Sequence, residues 1–316
     1  MTWSAREAEA LATIGLLAAQ SDGQRDPRER ETLTETFAAF GTAGAASVHA
    51  RVALGAAVLG EEARALGSPE LRRVAWELAL GVCHADGMVV EREKAFLEEL
   101  RLALGLPAAD VAASSATAAA LAPPLVPAAV AAPATPVTAA AVLDASTEAA
   151  LEKTIRDAAI LAGALELLPQ NLATLAIVPL QAKLVADVGA AYGHRVDLGH
   201  ARELLAAVGL GLSGQAVEGF ARRFLGRLAG RFGGGVIGGL VDAATGAAAT
   251  FAATWAIGQV ARSWYASGRA LDPEDVQARF AAGLEDGRIA FEEVKDQVAA
   301  KAGTIALPDV ARLLGR

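Results

Sequence analysis

Residues 111–143 carry no charged side chain and hold five prolines: Pro123, Pro124, Pro127, Pro133 and Pro136. The stretch is long enough to cross a bilayer. Prolines at this density, however, remove backbone donors and break helices, so it reads as a semi-rigid, extended linker with no stable helix. The chain is therefore expected to divide into an N-terminal part (1–107), a linker (108–147) and a C-terminal part (148–316).

Both flanks read as helical. Hydrophobic residues make up 53% of the chain but aromatic residues only 5%, so the apolar content is mainly Ala, Leu and Val. Ala and Leu lead the helix propensity scale, whereas strands draw on β-branched and aromatic residues. Leu71, Val74, Leu78 and Val82 recur as one helical stripe, and Leu97, Leu100 and Leu104 form another. Trp3–Gln20 and Pro27–Phe40 make an earlier helical pair. The predicted fold class is all-α, with five or more helices and no strand in the N-terminal part.

Charge separates the segments. Residues 1–110 carry 11 basic and 17 acidic side chains (net −6), 144–270 carry 11 and 10 (net +1), and 271–316 carry 6 and 9 (net −3). No segment offers the basic surface that a nucleic-acid partner requires. The single cysteine, Cys83, allows no intrachain disulfide and reads as a small buried hydrophobe. The opening "MTWSAREAEALATIGLL" lacks the basic start and unbroken apolar run of a secretory signal, so the cytoplasm is the default expectation.

The chain has three Asp-Gly pairs, and each is followed by a Glu seven residues after the Asp: Asp22 and Glu29, Asp86 and Glu93, Asp286 and Glu293. Gly can stop one helix in a left-handed turn, and the Glu can cap the next helix. Asp26-Pro27-Arg28-Glu29 has the form of a capping box, with proline at the first helical position. Val90 is a poor cap, so capping alone does not explain Glu93. Divalent cation binding is the other reading. One loop offers too few oxygen ligands for calcium; if the first two turns pack side by side, Asp22, Glu29, Asp86 and Glu93 could form a shared, weak calcium or magnesium site. A catalytic carboxylate pair would need a polar cleft that the aromatic-poor sequence does not suggest.

On these motifs, "SDGQRDPRE" and "ADGMVVEREKAFL", residues 1–107 resemble the TerB family of tellurite-resistance proteins. The resemblance implies an all-helical bundle of two similar halves, metal binding by Asp22, Glu29, Asp86 and Glu93, and a stress-associated interaction role rather than an enzymatic one. Arg25 departs from the family pattern, which expects an apolar residue in the first turn.

The C-terminal part is more apolar. Between Phe232 and Ala261 the only charge is Asp242. Gly226, Gly230, Gly234 and Gly238 recur every four residues, and on a helix they share one face that permits close approach of another backbone, including that of a second copy. Arg222, Arg223, Arg227 and Arg231 precede the apolar run and Arg262 closes it. They suit an interfacial anchor on an anionic leaflet, and equally the polar face of a soluble helix. No GxxxxGK[ST] phosphate loop is present. The four histidines, His49, His84, His194 and His200, read as structural or solvent-facing.

"IVPLQAKLVADVGAAYG", "GGGVIGGLVDAATG" and "TWAIGQVARSWYASGRALD" occur in order. Through them residues 145–285 resemble the uncharacterised hydrophobic domain of YcjF-type inner-membrane proteins, which also occurs beside Era-like GTPase domains. The resemblance implies membrane association and a GTPase partner, with no catalytic residues. The expectation is thus a non-enzymatic adaptor or stress-response protein at the cytoplasmic face of the inner membrane. The alternative is a soluble cytoplasmic partner of an Era-like GTPase, or a self-associating scaffold.

Overall fold

A computed structural model describes residues 4–21, 48, 51–52, 54–85, 89–121, 143–168, 171–194, 198–208, 221 and 243–314. Among them there is no strand, and the fold is all-α. The described helices fall into two compact units, one holding those up to Leu121 and the other those from Ala145 onward.

The first unit contains α1 (Ala5–Gln20), α2 (Leu59–Ala65), α3 (Pro69–His84), α4 (Glu91–Ala103) and α5 (Ala108–Leu121). Local chemistry fixes several starts. Ser4 and Glu7 form a reciprocal capping box: Ser4 N–H donates to Glu7 Oε2 at 2.8 Å and Glu7 N–H donates to Ser4 Oγ at 3.2 Å. The Ser4 backbone donor leads the interactions that hold the Glu7 carboxyl below its ordinary range. Ser68 caps α3, with Pro69 at the first helical position. The predicted stripes face inward: Leu71, Val74, Leu78 and Val82, and Leu97, Leu100 and Leu104, are all buried. α1 packs on α2, α3 and α4, and α3 on α4 and α5.

Helix α5 corrects the expected start of the linker. Residues 108–121 form a helix whose Val111, Ala118 and Leu121 are buried, and it packs on α3. The first proline of the stretch is Pro123, so nothing interrupts the alanine-rich segment before it. Lack of charge marked a helix with little exposed polar surface, not a break in the fold.

The second unit contains α6 (Ala145–Leu167), a short 3-10 turn (Asn171–Ala176), α7 (Ile177–Ala191), α8 (Leu198–Ala207), α9 (Ala243–Ala266), α10 (Pro273–Thr304) and α11 (Leu307–Leu313). Asp144 caps α6 by accepting from the amides of Ser146 and Thr147 at 2.9 and 3.1 Å. Hydrogen bonds led by the two hydroxyls hold its carboxyl well below the usual range. Asp272 caps α10 in the same way, accepting from Asp275 N–H at 2.8 Å, with Pro273 behind it.

Helix α9 is the centre of this unit, contacting α6, α7 and α10. Its approach to α10 depends on small residues. A methyl group added at Gly283 would lie 3.1 Å from Ala256 Cα, and one at Gly287 would lie 2.8 Å from Ala252 Cα. The third Asp-Gly pair, Asp286-Gly287, is therefore no turn: it sits inside the continuous helix α10. Gly287 is needed there for backbone approach, and the local sequence resembles a helix stop only when read without its packing partner.

Candidate functional site

The four proposed cation ligands are only partly accounted for. Asp22, Glu29 and Asp86 lie outside the described residues. Glu93 is buried at the third position of α4, and its Oε2 accepts from Val90 N–H at 2.8 Å. A cap residue without a side-chain acceptor still leaves its own amide to be satisfied, and Glu93 satisfies it. Half of a capping box thus does form at Val90. Among the described residues no three His, Cys, Asp or Glu side chains are grouped closely enough to hold a metal ion. Upstream of this turn, His84 ends α3, and burial pushes its imidazole down to about 4.

Sequence reasoning missed a second buried carboxylate in the first unit. Glu62 on α2 is fully buried, and its two oxygens lie 2.8 Å from Arg6 Nη1 and 2.7 Å from Arg51 Nη1. Arg51 also donates to Thr13 Oγ1 at 3.4 Å. The cluster joins residue 51, the start of α1 and α2. No local signal in the sequence marks it, since the carboxylate acquires its role only from Arg6 and Arg51, neither of them on its own helix.

The proposed membrane-contact residues Arg222, Arg223, Arg227 and Arg231, and the glycines Gly226, Gly230, Gly234 and Gly238, all lie outside the described residues. The described remainder of that apolar run belongs to α9. There Phe251, Trp255, Ile257 and Val260 are buried in the second unit's core with residues of α6, α7, α8 and α10. Arg262, at the end of the run, donates to Glu152 Oε2 at 3.2 Å. Among the described residues, one stretch, Leu172–Ala191, is long and apolar enough to cross a membrane, and 83% of its apolar window is buried inside the protein.

The second unit does gather polar chemistry at one end. Arg269 follows α9 and lies in the left-handed region at φ 67°, directly after Gly268 at φ 66°. Gly268 N–H donates to Tyr265 O at 3.0 Å and Arg269 N–H to Trp264 O at 2.7 Å, closing the helix end as a Schellman motif. Glycine accepts this conformation freely; arginine does so at a cost of about 1–2 kcal/mol. The Arg269 guanidinium is held on three sides. It donates to Glu203 Oε2 at 2.7 Å, lies 2.7 Å from His200 Nε2, and sits 4.9 Å from the centre of the Trp264 ring. Guanidinium can only donate, so His200 Nε2 must be the acceptor and His200 a neutral imidazole.

Around this pair His194 lies 4.9 Å from Tyr265 and 5.9 Å from His200, measured between ring centres. Burial, and secondarily the Arg269 charge, hold His194 below the ordinary imidazole range. Burial raises the Tyr192 hydroxyl above its ordinary value. The sequence reads the two histidines as structural or solvent-facing, and the structure brings them together with Arg269, 69 residues from His200 along the chain. "SGR" directly after a helix was the one available signal, a glycine stop followed by a long cation.

Between α6 and α10, above α9, runs an open groove of about 870 Å³, lined among others by Glu148, Glu152, Trp255, Gln259, Arg262 and Arg279. Gln259 Nε2 donates to both oxygens of Glu152, at 3.1 and 3.3 Å. With Arg262 on the same carboxylate, Glu152 serves as a structural bridge between α6 and α9.

No family model, curated protein or solved structure matches the chain. The three buried carboxylates among the described residues each have a structural partner: Glu62 its arginines, Glu93 the Val90 amide, and Glu166 the Thr250 hydroxyl at 2.8 Å.

Proposed function

We propose that this chain is a non-enzymatic helical adaptor that works by binding other proteins, with the second unit as a packed scaffold. One observation carries the reading: the apolar surface of α9 is covered by α6, α7 and α10, while the long helix α10 exposes most of its charged residues. A helix committed to a protein core has no apolar face left for lipid. The buried carboxylates support the same reading, since each serves packing or capping rather than an open polar pocket. A role as regulatory partner of an Era-like GTPase, which the C-terminal resemblance implies, fits such a scaffold. A stress-associated docking role for the first unit fits the TerB resemblance.

A second reading rests on Arg222, Arg223, Arg227 and Arg231, which precede the apolar run in sequence. In it those arginines draw the chain to an anionic leaflet at the inner face of the membrane. Liposome flotation of the full chain separates the two. The adaptor reading expects no flotation with neutral or anionic vesicles, and recovery in the supernatant of a cell lysate after a high-salt wash. Flotation on anionic vesicles that disappears when the four arginines become glutamine would establish the membrane reading instead.

A further inference from the structure

We propose that the contact between Arg269 and His200 is an acid-sensitive latch that holds the corner between α9 and α10 closed. The corner is strained, because Arg269 is a non-glycine residue at φ 67°. A conformation of this kind persists only where surrounding contacts over-determine it. Two of the contacts come from outside the corner, His200 and Glu203 on α8, 69 and 66 residues away in sequence; the third is the face of Trp264 in the last turns of α9.

One of the three contacts depends on protonation. His200 Nε2 accepts from the guanidinium, so a proton at that nitrogen removes the acceptor and sets imidazolium against guanidinium about 3 Å apart. Arg269 keeps its charge throughout the physiological range, so only the histidine can switch. Protonation leaves the Glu203 carboxylate on Arg269 as a contact that does not change. The left-handed residue loses one of its restraints, and the amides of Gly268 and Arg269 become free to open.

The neighbouring charges are consistent with a switch centred on this pair. On α8 itself the facing anion is Glu203. From the end of α7 come His194 and Tyr192, with His194 disfavoured as a cation by burial and by Arg269. On α7 the ions Lys183 and Asp187 satisfy each other at 2.6 Å. Helix α9 contributes Tyr265 and Trp264, both uncharged. Helix α10 reaches α8 through the neutral Gln277, whose Nε2 donates to Ala207 O at 3.3 Å. Among the described side chains, Arg262 of α9 is a further cation near this group, its charge acting on Tyr192.

Hydrogen exchange of the full-length chain at Gly268 and Arg269 tests the latch, with rates corrected for intrinsic exchange. Between about pH 7 and about pH 5, protection of these two amides should fall about tenfold, the factor that one pKa unit of differential protonation represents. His200→Gln retains an acceptor that does not titrate, and should keep the corner protected at both pH values. His194→Gln should behave as the wild type does. Arg269→Gly removes both the strain and the charge, and should leave the corner protected at both pH values. Nuclear magnetic resonance of the wild-type chain provides a test that needs no variant: His200 Cε1–H and the Arg269 amide should titrate with one midpoint. Unchanged wild-type protection, an equal acid loss in His200→Gln, or separate midpoints would each overturn the proposal.

Discussion

Gly287 of α10 rides on the backbone of Ala252 in α9, so closely that an added methyl group would lie 2.8 Å from Ala252 Cα and 3.0 Å from its carbonyl oxygen. Backbone atoms cannot swing aside as a long side chain can, so larger residues at 287 must push the helices apart. Gly287→Val should destabilise the protein by about 1–3 kcal/mol, the usual cost of overpacking. Gly246 lies in α9 with nothing within 4 Å of an added Cβ. There alanine should stabilise by up to about 1 kcal/mol. Urea unfolding of the two variants decides it, and equal midpoints would remove the argument from close packing.

The Glu62 cluster makes a prediction about sign as well as size. Removing Arg51 leaves a buried carboxylate with one arginine fewer, and Arg51→Met should cost about 2–3 kcal/mol, less than the loss of a fully buried pair because Arg51 is partly exposed. Adding Glu62→Leu to that variant should recover most of the loss, since the uncompensated charge disappears with its partner. A double-mutant cycle measures this directly. If the two losses simply add, the ion pair contributes nothing to the fold.

His84 links stability to pH. Its imidazole is held down to about 4 by burial, against an ordinary value of 6.5. A lowered histidine pKa means that the folded state resists a proton which the unfolded chain accepts. The stabilisation is therefore complete above about pH 6.5 and is lost progressively as pH falls toward about 4. Thermal midpoints across that window should decline less in His84→Gln than in the wild type. Parallel curves would place the acid sensitivity elsewhere.

Glu93 distinguishes capping from cation binding. If the Val90 amide is what it serves, Glu93→Gln should cost about 1 kcal/mol in a buffer containing chelator, because a carboxylate accepts more strongly than an amide oxygen. If Asp22, Glu29, Asp86 and Glu93 also share a cation, calcium or magnesium should raise the thermal midpoint of the wild type and leave Asp86→Asn unmoved. Titration calorimetry with calcium, magnesium and zinc provides the second measurement, and heat from none of them would leave the cap as the whole explanation.

Local features of the fold were readable in the sequence wherever their cause was local. Ser68-Pro69 and Asp272-Pro273 begin helices because a side-chain oxygen caps the first amides and proline tolerates the first turn. The Leu71 to Val82 stripe faces inward because helical spacing leaves it no other face. What escaped depends on partners far along the chain. Gly287 looks like a turn beside Asp286, and only Ala252 shows why it stays helical. Glu62 gains meaning from Arg6 and Arg51. Arg269 and His200 lie 69 positions apart, and no spacing rule connects them. The start of the linker escaped for a different reason: alanine-rich sequence without charge suits a helix as well as an extended linker, and α5 is helical up to Leu121, seated by Val111, Ala118 and Leu121.

Helix α10 runs unbroken from Pro273 to Thr304, 32 residues. At 1.5 Å per residue that is a rod about 48 Å long. It is seated along one narrow line of small and apolar side chains, Val276, Gly283, Gly287, Val294 and Val298. A rod held in this way transmits rotation better than it absorbs it. Its two ends are thus tied by one unbroken backbone, and the seat on Ala252 and Ala256 in its middle is the pivot about which any tilt would have to turn.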